Sequence, residues 1–230
     1  PVLEDVSFII RKGERVAIAG SSGVGKTTLI GLIMGFYTPT AGEILVNGLP
    51  MCQIKPSSLR RAMGMVSQDV LLFDETVRYN LQLGAAYSDN ELWVALEKAE
   101  LLETIENLPD GLDSKISVAG DLSGGQKQRL YIALALLNDP DVVFLDELTT
   151  GLDPQARRDI WDLVLDMKQR GKTVVLTTHF MEEAAGKCHY SCHFPSFSGS
   201  QGLRTGDCSA GQNRRCRWKP RRTGFKFRDV

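Results

Sequence analysis

The chain has 230 residues, of which 43% are hydrophobic, so it can bury a core as one or two globular domains. Its formal net charge of −1 conceals a split, because residues 1–186 hold 17 Lys and Arg against 26 Asp and Glu, whereas residues 187–230 hold 10 against 2. The longest clean apolar run, at 132–137, is far shorter than the roughly 20 residues of a membrane span, so the composition predicts no spanning helix.

Strand and helix patterns alternate from the start of the chain. The segment RVAIAG (15–20) predicts a buried strand, the run from residue 25 predicts a helix, and GEILVNG and MGMVSQ predict two more short strands. From residue 88, SDNELWVALEKAELL begins with an N-cap Ser or Asp. Its apolar positions predict one helical stripe, formed by Leu92, Ala95, Leu96, Ala99 and Leu102.

The second part of the chain continues this alternation. QKQRLYIALALL predicts a helix, and DVVFLDE predicts a parallel strand covered on both faces. DPQARRDIWDLVLDMKQRG has Pro at its start and Gly at its end, which is typical of a helix, and KTVVLTTH predicts a further buried strand. The pattern predicts an α/β domain over residues 1–186 with a parallel sheet, interrupted at about 69–138 by a mostly helical stretch.

The composition changes after residue 186. Residues 187–230 carry few aliphatic side chains, follow neither a helical nor a strand period, and are predicted to be disordered or non-native. Four of the five cysteines lie there, but their spacing does not fit a zinc site. The basic run RRCRWKPRR could attract nucleic acid or anionic lipid, although we expect no nucleic-acid partner.

The stretch GSSGVGKTT at 20–28 fits the pattern G-x-x-x-x-G-K-[ST] between a strand and a helix. Glycines let successive N–H groups point at a phosphate, the lysine adds a charge that bridges the β- and γ-phosphates, and the first threonine offers a hydroxyl to Mg²⁺. The second threonine can reach the α-phosphate. The predicted nucleotide-binding residues are Gly20, Ser21, Ser22, Gly23, Val24, Gly25, Lys26, Thr27 and Thr28.

Two adjacent acidic residues follow the buried strand VVFL. Asp146 stands at the strand exit, where a carboxylate can hold Mg²⁺ through its water shell. Glu147 follows it directly and is well placed to orient and deprotonate a water for phosphoryl transfer, which typically contributes about 10²–10⁴-fold. We therefore predict Asp146 as a metal residue and Glu147 as a catalytic residue.

A second anion-binding helix start, DLSGGQKQRL, precedes the acidic strand by about 20 residues. With the P-loop, LSGGQ at 122–126 resembles the signature of the ATP-binding cassette (ABC) ATPases, and the resemblance covers about residues 1–185. It implies a P-loop NTPase parallel-sheet core with an inserted helical subdomain. It also implies that two cassettes close head to tail, so that this segment of one faces the γ-phosphate held by the other. The residues concerned are Ser123, Gly124, Gly125 and Gln126.

Three further positions match motifs of that family. Gln68 looks like the Q-loop glutamine, which in the family senses Mg²⁺ and the attacking water and couples to a transmembrane partner. The resemblance therefore implies that Gln68 is both a catalytic and a metal residue. Asp153 in TTGLD looks like the D-loop aspartate at the dimer seam. His179 in VLTTHFMEE looks like the switch histidine that contacts the γ-phosphate.

The resemblance implies an exporter-like ATP-binding and ATP-hydrolysing part of an ABC membrane transporter. The implied cofactors are ATP and Mg²⁺, and the implied partners are a second cassette, identical or different, and a transmembrane domain or subunit. The implied location is the cytoplasmic face of a membrane. Two alternatives remain open at this point, namely a soluble ABC ATPase of the translation or DNA-repair class and a truncated nucleotide binder without turnover.

The chain departs from the family pattern in three places. The aromatic residue on which such cassettes stack adenine would precede Pro1, which puts adenine affinity in question. Leu148 replaces the more frequent Pro or Ala after the catalytic Glu. Finally, residues 187–230 lack the helix and strand with which related cassettes continue.

Overall fold

We analysed a computed structural model, which describes residues 2–4, 6–68, 71–117 and 121–179, together with the backbone of residues 190–194, 208–210, 214–216 and 225–228. The helices are α1 (Lys26–Ile33), α2 (Pro56–Ala62), α3 (Val77–Gln82), α4 (Asp89–Lys98), α5 (Leu102–Glu106), α6 (Gly124–Leu136) and α7 (Pro154–Gln169). The strands are β1 (Ile9–Arg11), β2 (Arg15–Gly20), β3 (Ile44–Val46), β4 (Leu49–Pro50), β5 (Met63–Val66), β6 (Val142–Asp146), β7 (Thr173–Thr178), β8 (Tyr190–Phe194), β9 (Cys208–Ala210), β10 (Arg214–Cys216) and β11 (Phe225–Arg228).

The main sheet has the strand order β10-β9-β8-β2-β7-β6-β5, in which the run from β8 to β5 is parallel. β6 and β7 are buried at every residue, as expected for parallel strands covered on both faces. The register pairs Asp146 of β6 with Thr177 of β7, and Thr177 in turn with Ile18 of β2. The carboxyl ends of the three strands therefore meet at one edge, where open α/β sheets bind ligands.

Helices fill the chain between β5 and β6, as the sequence predicts. Ser88 caps α4 through a capping box with Glu91, which confirms the predicted helix start. The predicted apolar stripe is correct through Ala99 but wrong at its last member. α4 ends at Lys98 and Glu100 has a φ of 56°, so the helical period is interrupted and Leu101 is buried in place of Leu102.

Two apolar clusters cover the main sheet. One joins the helical stretch to α6, α7 and the sheet through residues such as Leu96, Leu130, Trp161 and Leu176. The other joins α1 to the sheet and to the smaller sheet β1-β11-β3-β4 through residues such as Ile30. Both faces of the strands that end at the site are thus packed. No helix in the described part of the chain has the length and apolar character to cross a bilayer.

The expectation that residues 187–230 are disordered or non-native stays a prediction. The described parts of this stretch form four short strands, with β8 parallel to β2 and β11 between β1 and β3. A sheet edge offers N–H and C=O groups to any extended segment, so pairing needs no apolar period in the added strand. The cysteines and the basic run weighed for zinc and for anions have side chains outside the described residues, and the domain boundary at residue 186 stays a prediction.

Candidate functional site

The loop between β2 and α1 has the backbone that the P-loop motif predicts. Gly23 and Gly25 adopt φ values of 80° and 100°, in the left-handed region that favours glycine. A Cβ atom on Gly25 would also lie 2.9 Å from Cδ2 of Leu3, although the φ of 100° is what makes this position require glycine. Gly25 is the N-cap of α1 and provides no side-chain cap, which leaves the first N–H groups of the helix available to an anion.

Lys26 is the buried cation of this loop. Its Nζ donates to the carbonyl oxygens of Gly20 and Ser21 at 2.9 and 3.0 Å. The same atom lies 3.0 Å from Oε1 of Glu147, and only 4% of the residue is exposed. A buried ammonium must be paired, and here it is held by the loop backbone and one carboxylate. Among the other predicted loop residues, Ser21, Ser22 and Thr27 are exposed, Val24 is buried and Thr28 is half-buried.

Asp146 lies at the end of β6 with 2% of its surface exposed. The hydroxyl of Thr27 donates to its Oδ2 at 2.8 Å, and the hydroxyl of Thr177 donates to its Oδ1. Both carboxylate oxygens are therefore held by threonines from neighbouring elements, α1 on one side and β7 on the other. The structure brings together Thr27 and Asp146, two of the three residues predicted from sequence to serve the metal; the third is Gln68.

The residues at this edge fit Mg²⁺. A hydroxyl and a carboxylate are hard oxygen donors of the kind that Mg²⁺ prefers, and the ion usually takes only one or two carboxylates together with substrate phosphates and water. Within the described ranges, no group of three or more His, Cys, Asp or Glu side chains could hold a metal alone. This donor set suits an ion that arrives with a nucleotide better than a resident metal of the protein.

Glu147 leaves the strand at an unusual backbone angle. Its φ of 48° lies in the left-handed region, which non-glycine residues adopt infrequently. Its N–H donates to both the carbonyl and the hydroxyl oxygen of Thr177, at 3.2 and 2.9 Å. The carboxylate lies between Lys26 and His179, whose Nδ1 is 3.7 Å from Oε2. Two of the three residues predicted to be catalytic, Glu147 and His179, are thus brought together beside the P-loop; the third is Gln68.

The LSGGQ segment forms the capped start of α6. Ser123 caps α6, with its hydroxyl accepting from the N–H of Gln126 at 3.2 Å while the Gln126 side chain accepts from the N–H of Ser123 at 2.8 Å. Ser123 and Gly124 are exposed. Gly125 is buried, and a Cβ there would lie 3.0 Å from Cβ of Ala156 in α7. The segment is therefore a capped helix start that exposes Ser123 and Gly124 to solvent.

Asp153 lies at the start of a helix and Gln68 lies just after a strand. Asp153 is the N-cap of α7, and its carboxylate accepts from the N–H groups of Gln155 and Ala156. Hydrogen bonding by these N–H groups, with that of Ala156 contributing most, lowers the pKa of Asp153. Gln68 is exposed just after β5, which neighbours the strand that ends in Asp146. The structure joins neither residue to the Lys26–Glu147 cluster, and their roles stay predictions.

The sequence analysis missed Thr177. This residue contacts both acids, through its hydroxyl to Asp146 and through its two oxygens to the N–H of Glu147. A threonine within an apolar run reads as an ordinary buried strand residue. The one signal that could have found it is the register of β6 against β7, which a single sequence does not reveal.

Comparison with known proteins gives consistent matches. The family model described as ABC transporter matches residues 3–150. The chain is 41% identical over 180 residues to the ATP-dependent lipid A-core flippase of Burkholderia orbicola (strain AU 1054), covering 78% of this chain and 30% of that protein. It is 44% identical over 195 residues to the Nod factor export ATP-binding protein I of Burkholderia pseudomallei (strain 1710b), covering 83% and 62%.

The fold has a counterpart among solved structures. The structure of a bacterial Atm1-family ABC exporter with ATP bound superposes with a TM-score of 0.71 at 34% identity, covering 80% of this chain and 32% of that one. The chain thus spans 30% to 62% of the length of these two relatives and about a third of that exporter. The α/β architecture with a P-loop and inserted helices, predicted from sequence, is confirmed.

Proposed function

The chain belongs to the ABC transporter family, and from this premise we propose that it is the ATP-binding and ATP-hydrolysing part of an exporter-like membrane transporter. The observation that carries the proposal is the contact of Lys26 with Glu147 at the edge where β2 and β6 end. A phosphate-binding cation and a water-activating carboxylate share one small volume there. That arrangement suits hydrolysis of a terminal phosphate.

The P-loop binds the phosphates. The free N–H groups at the start of α1 and the ammonium of Lys26 are the donors for the β- and γ-phosphate oxygens. Exchange of the Lys26–Glu147 ion pair for a Lys26–phosphate contact releases the carboxylate of Glu147 from Lys26 and leaves it beside His179. When bound, Mg²⁺ would be held by Thr27, Asp146 and Gln68 and would neutralise charge on the phosphates.

Glu147 acts as the general base. Its carboxylate accepts a proton from water as the water oxygen bonds to the γ-phosphorus, while the bond from that phosphorus to the bridging oxygen breaks and ADP leaves. His179 lies on the other side of the carboxylate and orients it. The buried hydrogen bonds at the end of β6 keep the acid in place, so the water needs little reorganisation.

A second cassette completes the site. Ser123 and Gly124 are exposed at a helix start, whose N–H donors and positive dipole end favour an anion. We place the γ-phosphate of a partner cassette there, with Asp153 at the seam between the two. ATP then contacts both cassettes and stabilises their dimer, and hydrolysis of ATP lets the two cassettes separate.

The helical stretch offers a surface for a membrane partner. Leu71, Phe73, Tyr79 and Leu83 are each about half exposed or more, and the rings of Phe73 and Tyr79 pack edge to face with centroids 5.8 Å apart. These exposed apolar side chains lie close together in the chain, on the loop before α3, on α3 and just after it, and such a group favours a protein contact over solvent. We assign this surface to the transmembrane domain or subunit, which puts the chain at the cytoplasmic face of the membrane.

The test of hydrolysis compares phosphate release from ATP by the unaltered chain and by Glu147→Gln over a range of chain concentrations. We expect turnover per chain to rise with concentration, because each site needs two cassettes, and Glu147→Gln to lower kcat by about 10²–10⁴-fold. Glu97→Gln, on the exposed face of α4, serves as the control. Equal turnover by Glu147→Gln, or binding of ATP with no turnover by any variant, would contradict the proposal.

A further inference from the structure

Thr177 joins the two acids of the site through a single side chain. Its hydroxyl donates to Oδ1 of Asp146 and accepts from the N–H of Glu147 at 2.9 Å. The residue is 2% exposed and lies on β7, the strand between the P-loop strand β2 and the acidic strand β6.

The backbone at Glu147 depends on the same residue. A φ of 48° costs free energy for a non-glycine residue and persists only where surrounding contacts hold it. The N–H of Glu147 has two acceptors, both on Thr177. This angle turns the Glu147 side chain out of the strand direction and towards Lys26, with which it pairs.

The two threonines on Asp146 differ in what they can do. Thr27 is exposed and is itself one of the residues that would hold Mg²⁺. Thr177 is buried within the sheet, and its hydroxyl is committed to Asp146 and Glu147. The buried hydroxyl of Thr177 therefore keeps its hydrogen bond to Asp146 when Thr27 turns to Mg²⁺.

We propose that Thr177 is a positioning residue for ATP hydrolysis, which fixes the carboxylate of Asp146 for Mg²⁺ and the backbone of Glu147 for activation of water. The inference rests on the proposed function. The positioning role of Thr177 requires the hydroxyl oxygen, which serine also supplies. The methyl group and the bulk of threonine are not required.

The test uses Thr177→Val, which keeps the shape and removes the hydroxyl, and Thr177→Ser, which keeps the hydroxyl. Thr173→Val is the matched control, because Thr173 lies on the same face of the same strand, is 1% exposed and accepts from the N–H of Gly13 at 3.0 Å. Two quantities are measured for each variant. One is the ratio of the Kd for a fluorescent ATP analogue in EDTA to that in Mg²⁺, and the other is kcat and KM for ATP.

We expect Thr177→Val to reduce the gain in affinity from Mg²⁺ by about tenfold, the scale of one hydrogen bond to a charged group, and to lower kcat by at least as much. Affinity in EDTA should stay within about twofold, because the P-loop is untouched. Thr177→Ser should restore both quantities. Thr173→Val should change thermal stability alone.

The inference is overturned if Thr177→Val matches Thr173→Val in both quantities, or if Thr177→Ser is as impaired as Thr177→Val. If Thr177→Val does not fold, Thr177→Ala replaces it, with the same outcomes. Failure of the proposed function looks different, because the unaltered chain itself would then show no turnover of ATP.

Discussion

Lys26 and Glu147 are in contact across the sheet edge, with Nζ 3.0 Å from Oε1, although one begins α1 and the other follows β6. The side chain of Lys26 is 3% exposed and that of Glu147 is 13% exposed. A phosphate bound by Lys26 would therefore lie within reach of the carboxylate that activates water. Phosphate binding by Lys26 and water activation by Glu147 would therefore take place at the same edge of the sheet.

Replacement of Lys26 by alanine is expected to weaken ATP binding by about 10- to 100-fold, because a hydrogen bond to a charged group contributes about 1.5–3 kcal/mol. The measurement is a titration with a fluorescent ATP analogue. Lys98→Ala is the control, since Lys98 pairs with Asp139 far along the chain from the P-loop. An unchanged Kd for Lys26→Ala would mean that the loop does not hold the phosphates.

The two glycines of LSGGQ should respond differently to a side chain. Gly125 is buried with Cβ of Ala156 only 3.0 Å from where its own Cβ would lie, so Gly125→Val should destabilise the fold by about 1–3 kcal/mol through overpacking. A Cβ on Gly124 would lie 3.8 Å from Cδ2 of Leu152, an ordinary contact, so Gly124→Ala should be neutral. Urea unfolding measures both, and equal stability of the two variants would refute the described packing of α6 on α7.

The cap of α7 should make stability depend on pH. The N–H groups of Ala156 and Gln155 lower the pKa of Asp153 below its usual 3.8 in the folded chain. A lowered folded pKa adds stability above the unfolded pKa, and this is lost as the pH falls through the folded value. Asp153→Ser keeps a capping oxygen but does not titrate. The free energy of unfolding of the unaltered chain should therefore approach that of Asp153→Ser as the pH falls from 3.8 through the lowered folded pKa, whereas a constant difference would exclude the charged cap.

Much of the site was predictable because its parts are local in the sequence. The P-loop pattern sets both the left-handed glycines and the helix start, and these depend on neighbours within a few residues. The run VVFL predicts a buried strand, so the position of Asp146 at its end follows directly. The capped start of α6 at Ser123 is likewise encoded by Ser and Gln three residues apart.

The remaining features depend on pairing between distant segments. Thr177 meets Asp146 because β7 pairs with β6 in one register, and a shift by one residue would turn its hydroxyl to the opposite face. The φ of 48° at Glu147 is not encoded by a glutamate and exists because Thr177 holds its N–H. The strands after residue 186 add to sheet edges through backbone hydrogen bonds, which no side-chain pattern predicts.

We propose that Ser123 of one chain contacts the phosphate held by Lys26 of another. Light scattering on Glu147→Gln, with and without MgATP, measures the solution mass that this contact predicts. We predict that MgATP doubles the mass from 25.4 kDa, and that adding Ser123→Arg abolishes the doubling while ATP still binds. A mass that stays monomeric with ATP bound, or a doubling that survives Ser123→Arg, would contradict the account.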